Sequence, residues 1–132
     1  MGRTIADNQE LILKEKIKIF FSSTRQYNSQ EFCPIRDVLA NSLDKWSLFV
    51  LYNLGYNQVM RFNELKKRID GISSRMLSTT LKKLEANDMI TRMAYAEVPP
   101  RVEYRLTDFG KDFADRIIDL SQWYLESYER KG

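Results

Sequence analysis

Apolar residues recur at helical spacing over most of the chain and at strand spacing in one short stretch. Between residues 8 and 21, Leu11, Ile12, Leu13, Ile17, Phe20 and Phe21 stand among lysines and glutamates with no Pro or Gly, which predicts an amphipathic helix. The polar stretch 22–30 ends it. A new helix is predicted to start at Cys33-Pro34, because proline is favoured at the first helical position; Cys33 then lies at or near the N-cap, and Val38, Leu39 and Leu43 face inward. Asp44 is a good N-cap for the next helix, whose residues Trp46, Leu48, Phe49, Val50, Leu51, Tyr52 and Leu54 are apolar nearly all round and make it the expected centre of the core. It is expected to stop near Gly55, with 57–60 as a connector.

Phe62, Leu65 and Ile69 mark a two-turn helix ending at Asp70-Gly71. Ser73 can cap the following helix, which runs to about Asn87. Leu77, Leu81 and Leu84 form its inner face, with Met76 and Thr80 at the border, while Arg75, Ser78, Thr79 and Lys82 fall on the opposite face at i, i+3, i+4 and i+7. Residues 89–95 and 102–106 are rich in strand formers. Pro99-Pro100 cannot donate to a ladder and belongs in the loop of a hairpin. Thr107 caps a last helix, from Asp108 to about Glu129, with Phe109, Phe113, Ile117, Leu120, Tyr124 and Tyr128 on one stripe and Asp108, Asp112, Asp115 and Asp119 on another.

No repeat or low-complexity linker divides these elements, so the expected fold is mostly α with a small β-hairpin, a single domain over residues 1–132. With 43% apolar and 30% charged residues the chain is globular in type, and no apolar run approaches the roughly 20 residues that span a bilayer. The start, Met1-Gly2-Arg3-Thr4, lacks the apolar core of a signal peptide, which makes the cytoplasm the expected location. There is no His and only one Cys, so neither a zinc site nor a Cys-His or Ser-His catalytic pair can be built, and the five glycines form no phosphate loop. Neither an enzyme, nor a bound metal, nor a cofactor is expected.

The net charge of +3 is unevenly spread. Residues 61–105 hold ten Lys/Arg against six Asp/Glu, whereas 1–60 hold seven against six and 106–132 four against six. The positive excess therefore coincides with the two short helices and the hairpin, where an electrostatic footprint for phosphate would be needed. Two helices joined through Asp70-Gly71-Ile72 make a helix-turn-helix pattern, in which the second helix enters the major groove. On that reading Arg75 is the candidate for bidentate contact to guanine, Ser74, Ser78 and Thr79 bond to bases or phosphates, and Lys82 meets a phosphate. Lys66 and Lys67 support the backbone contact. Arg101, beside the stiff Glu97-Val98-Pro99-Pro100 loop, is the cation expected at the hairpin tip, able to reach along the backbone or into a minor groove.

Six motifs in order carry a family resemblance: Cys33-Pro34-Ile35-Arg36-Asp37, Lys45-Trp46-Ser47-Leu48, Arg61-Phe62-Asn63-Glu64-Leu65, Gly71-Ile72-Ser73-Ser74-Arg75-Met76-Leu77, Leu81-Lys82-Lys83-Leu84-Glu85 and Glu97-Val98-Pro99-Pro100-Arg101-Val102-Glu103-Tyr104. Together they resemble the HxlR-type transcriptional regulators, a MarR-related branch of winged-helix proteins. The resemblance spans roughly residues 33–123. It implies a winged helix-turn-helix core (33–106) and a C-terminal dimerisation helix (107–132); the N-terminal helical extension (1–31) is a departure, since some thirty residues precede the Cys-Pro motif, more than many relatives have.

It implies also a homodimer on a pseudo-palindromic operator, built through the terminal helices. Phe113, Ile117, Leu120 and Tyr124, with Leu13, Ile17, Phe20 and Phe21, provide more apolar surface than so small a core needs. The partners implied are double-stranded DNA, a second copy and, in one form of the reading, a small-molecule or oxidant effector. A thiol at a helix N-terminus near Arg36 is biased towards thiolate, and some relatives use the matching cysteine as a redox or electrophile sensor, so Cys33 is the candidate switch. The competing readings are a winged helix used only for protein contacts, a regulator controlled by a small ligand, and for Cys33 a plain structural cap.

Overall fold

The computed structural model describes residues 5–24 and 35–131, in two compact units, Met1–Ala40 and Asn41–Gly132. The first unit holds α1 (Ile5–Thr24), whose Leu13, Ile17 and Phe20 are exposed. It then holds a π-helical turn, Ile35–Leu39. The side chain of Phe21 and the whole of Cys33 lie outside the described residues. A 3₁₀ turn, Ala40–Leu43, leads into the second unit. These tight and wide turns replace the α-helix expected to begin at Cys33-Pro34. Their angular step per residue differs from that of an α-helix, so the expected inward face does not form: Leu39 and Leu43 are exposed, Val38 is half-buried, and Ser42 is buried instead.

The second unit runs α2 (Lys45–Asn57), β1 (Val59–Met60), α3 (Phe62–Arg68), α4 (Ser74–Ala86), β2 (Ile90–Tyr95), β3 (Arg101–Leu106) and α5 (Asp108–Lys131). Asp44 caps α2 through its carboxylate, which accepts from the Ser47 backbone N–H at 3.0 Å and hydroxyl at 2.8 Å. The helix continues through Gly55 and ends only at Gln58, which takes φ 69° and donates its N–H to the Leu54 carbonyl. The expected stop at Gly55 is thus corrected. Glycine lowers helix propensity but does not by itself terminate a helix, and the end is decided where the chain must turn into β1.

β1 is the other departure from expectation, since residues 57–60 read as a plain connector. Val59 and Met60 pair antiparallel with Arg105 and Tyr104, giving a three-stranded sheet in the order β1-β3-β2. The hairpin itself matches its prediction: Ile90 opposes Leu106, Arg92 opposes Tyr104 and Tyr95 opposes Arg101. Core side chains come from every element of this unit: Val50, Leu51 and Leu54 of α2, Leu65 of α3, Leu77, Leu81 and Leu84 of α4, Ile90, Tyr104 and Leu106 of the sheet, and Ala114 and Ile117 of α5. Among the described residues no helix is long and apolar enough to cross a membrane.

α5 joins the sheet at a crowded corner. The Thr107 hydroxyl donates to the Asp88 carbonyl at 2.5 Å and accepts from the Gly110 N–H at 2.9 Å, while the Thr107 N–H donates to the Met89 carbonyl at 3.0 Å. Farther along, the Ser121 hydroxyl donates to the Ile117 carbonyl at 2.8 Å. Its single proton is then spent, and the Tyr52 hydroxyl, 2.6 Å away, is the donor to Ser121. These contacts bury the line Gly110, Ala114 and Ile117 against the same unit. Ile117, expected on the dimer surface, is therefore a core residue of its own chain, and Phe113 is half-buried.

Candidate nucleic-acid interface

α3 is short and capped by its own residues: Glu64 accepts from the Arg61 backbone N–H at 3.1 Å. The chain then turns through Gly71 at φ +83°, a left-handed conformation that L side chains rarely adopt. Ser73 takes over as N-cap of α4, its hydroxyl accepting from the Met76 N–H at 3.0 Å. The short α3, the left-handed turn and the capped α4 together set the helix-turn-helix.

The inner face of α4 is fully buried at Leu77 and Leu84 and nearly so at Thr80 and Leu81. Ser74, Arg75, Thr79 and Lys82 are exposed, and Ser78 is half-buried at their edge. Lys83, next in sequence to Lys82, is turned the other way and bonds the Asp44 carboxylate. Burial raises the Asp44 pKa, but hydrogen bonds from Lys83 and from the Ser47 N–H and hydroxyl outweigh it and leave the carboxyl below its ordinary value. The ionised pair ties α4 to the N-terminus of α2. One lysine of the Lys82-Lys83 pair anchors the helix and the other is left to solvent.

α3 carries Lys66, Lys67 and Arg68, all exposed, and Arg61 at its N-cap is exposed too; Arg61 and Arg68 are cations that sequence reasoning had not singled out. None of these four, nor Arg75 or Lys82, makes an ion pair among the described residues. Arg92 was missed as well. It shares a strand face with Ile90, which alternation would place inward, yet it is exposed while its partner Tyr104 is buried, because β2 is the edge strand of the sheet and β3 lies between it and β1. An arginine at an inward position of a strand pattern was the available signal.

Arg101 departs from the outstretched cation expected at the tip. It opens β3 and folds back, its guanidinium 4.1 Å above the centre of the Tyr95 ring and its Nη2 3.2 Å from Glu97 Oε1. Its Nε is 3.4 Å from Glu103 Oε1 at an angle that makes no hydrogen bond, and so is buried without a hydrogen-bond partner. Glu103 in turn is 3.8 Å from Arg105. Two carboxylates within reach on one small hairpin give Arg101 local counter-charges, which an isolated tip cation would lack.

The outer half of α5 carries Leu120, Trp123, Tyr124, Leu125 and Tyr128, all more than half exposed. Such a stripe on a monomer marks an interaction surface.

An HxlR-like helix-turn-helix family model matches residues 43–131. The HTH-type transcriptional regulator YtfH of Escherichia coli is 37% identical over 93 residues, covering 70% of this chain and 73% of that protein. Among solved structures, a transcriptional regulator ytfH from Salmonella typhimurium superposes with a TM-score of 0.66 at 33% identity, covering 76% of this chain and 88% of that one. The redox regulator HypR in its oxidized form superposes with a TM-score of 0.61 at 34% identity, covering 69% of this chain and 93% of that one.

Proposed function

Because the chain belongs to the HxlR-like helix-turn-helix family of transcriptional regulators, we propose that it acts as a homodimer on a pseudo-palindromic operator, with α4 of each protomer in the major groove. The observation that carries this reading is the concentration of exposed cations on α3 and α4, without ion pairs among the described residues, together with a face of short hydroxyls on α4. The major groove is about 12 Å wide and admits one helix, and Ser74, Ser78 and Thr79 keep the approach low while Arg75 extends from it. Lys66, Lys67 and Lys82 are placed for phosphates. In the dimer, Leu120 and Tyr124 with Trp123 and Tyr128 supply the α5 interface, Phe113 borders it, and Leu13, Ile17 and Phe20 of α1 supply a second apolar surface.

Fluorescence anisotropy on labelled genomic fragments tests the reading. Affinity should fall by about a thousandfold or more between about 50 and 200 mM salt, as expected for six or more neutralised phosphates per dimer. Binding that ignored salt, or no binding at all, would leave a protein-contact module as the better account.

The wing contact is refined by the held state of Arg101. Glu97 competes with DNA phosphate for its guanidinium, so Glu97→Gln should strengthen binding to all sequences by about threefold, the order of an exposed ion pair. That gain should vanish when Arg101 is alanine. A gain of equal size with and without Arg101 would mean that Glu97 merely repels the DNA backbone.

Redox control through Cys33 is a second reading, favoured by the likeness to HypR, a redox regulator solved in an oxidized form. A mild oxidant should change DNA affinity in the wild type and leave Cys33→Ser unaffected. The same response in both proteins would remove the thiol from the account.

A further inference from the structure

One side chain on α4 is neither core nor one of the polar groups of its outer face. Periodicity puts Met76 at the border of the inner face, yet it is 41% exposed. Across residues 61–86 every other large apolar side chain, from Phe62 to Leu84, is buried or half-buried. Met76 is the exception. Its neighbours Arg75 and, one turn on, Thr79 are exposed as well, whereas Thr80 at i+4 is buried in the core. The thioether therefore leaves the core on the flank of the outer face nearest Thr79.

An apolar group gains nothing from exposure to water, and helix propensity does not ask for one here, since Lys, Gln or Glu would serve the helix as well. Its position is more telling. Met76 is the third residue of α4 and donates its N–H to the Ser73 hydroxyl at 3.0 Å, so its backbone is fixed at the end of the helix that meets base edges. Lys83, two turns on along the same flank, is tied to Asp44 and holds that flank against the N-terminus of α2. The adaptable part is the methionine side chain itself, unbranched and polarizable, which moulds to irregular apolar shapes.

Base edges in the major groove present hydrogen-bond donors, acceptors and one apolar group, the C5 methyl of thymine. Arg75 and the hydroxyls of Ser74, Ser78 and Thr79 suit the polar groups, and a thioether suits the methyl. We propose that Met76 is a specificity-determining residue that packs on the C5 methyl of one thymine in each half-site, beside the base met by Arg75. The proposal rests on the placement of α4 in the major groove and adds to it the identity of a base. On the right sequence the exposed part of Met76 is taken from water, whereas a cytosine at the same place, which has no methyl, leaves it wet.

The probes are duplexes of a genomic fragment that the full chain binds, with deoxyuridine replacing each thymine in turn, a change that removes the C5 methyl and keeps the base pair. Wild-type affinity should fall about fourfold at one thymine per half-site, the order of one methyl taken from water. Met76→Ala should bind the thymine and uracil duplexes equally at that position, at about the level of the wild type on uracil. Its salt slope should be unchanged, because no charge is lost. Met76→Gln, of similar length but polar, should behave as the alanine variant does and carries the comparison if that variant folds poorly. A wild type indifferent to uracil at every thymine would overturn the proposal. So would a uracil penalty that persists undiminished in Met76→Ala, since another residue would then meet the methyl. Failure of the wild type to bind any unmodified fragment would instead remove the placement of α4 on DNA, and this proposal with it.

Discussion

Gly110→Ala should cost at least about 3 kcal/mol of folding free energy, because the new methyl has no space to enter. A Cβ at Gly110 would stand 1.9 Å from the Met89 carbonyl oxygen and 2.9 Å from its carbon, both backbone atoms. A side chain could rotate away. Backbone cannot do so here, because the same Met89 carbonyl accepts from the Thr107 N–H, and the Thr107 hydroxyl caps α5 at Gly110. To admit the methyl, α5 would have to lift from the start of β2, and Ala114 and Ile117 would come away from the core with it. Urea unfolding followed by circular dichroism should show the midpoint fall sharply or the folded baseline vanish. A midpoint unchanged from wild type would mean that α5 does not make this approach. Gly55→Ala is the matched control, with open space where Gly110 has backbone.

Arg75→Ala is expected to cost about 1–3 kcal/mol in binding to the preferred operator and to relax base preference at one position in each half-site. The expectation rests on three properties of Arg75. It lies in the first turn of α4, its side chain is exposed, and it makes no ion pair among the described residues, so its planar fork is available to paired acceptors on a base edge. Lys82→Ala, two turns on, removes a point charge and should weaken every sequence alike while reducing the salt slope by about one. Competition binding against a set of operators with single-base changes separates the two. If both substitutions lowered affinity equally on every sequence, Arg75 would be a second phosphate contact and base reading would fall to another part of α4.

Both predictions depend on features of unequal visibility in the sequence. The helix-turn-helix was legible because its signals are local: Ser73 is a capping residue, Gly71 stands where a left-handed turn is needed, and Leu77, Leu81 and Leu84 repeat at helical spacing. The face bearing Arg75, Thr79 and Lys82 follows by subtraction. The hairpin was legible for the same reason, since Pro99-Pro100 marks its loop and strand formers flank it. Arg61, Arg68 and Arg92 were missed because a charged residue in a periodic pattern says little about its neighbours in space.

The reading of Arg101 shows the limit most directly. Its place beside the hairpin loop follows from sequence, but its orientation depends on Glu97 and Glu103 arriving within a few ångströms and on Tyr95 pairing opposite it. The stripe on α5 divides in a similar way. Phe113, Ile117, Leu120 and Tyr124 share one periodicity, yet the first half of the helix is covered by its own unit and the second is not, and no local signal marks where cover ends. Cys33 and Phe21 were assigned from sequence alone and stay so.

What the sequence by itself determined is the five α-helices and the hairpin, their order and the family, though neither β1 nor the turns over 35–43, because caps, turn residues and periodicity act over a few neighbouring positions and each position carries its own signal. What only the tertiary structure decided is which groups are spoken for. Lys83 rather than Lys82 anchors α4, Arg101 is held, Ile117 is core and Gly110 is a contact. Arg101 is held across its own hairpin by Tyr95, Glu97 and Glu103, and the others follow from distances between residues far apart in the chain; all such distances exist only once the backbone has closed on itself.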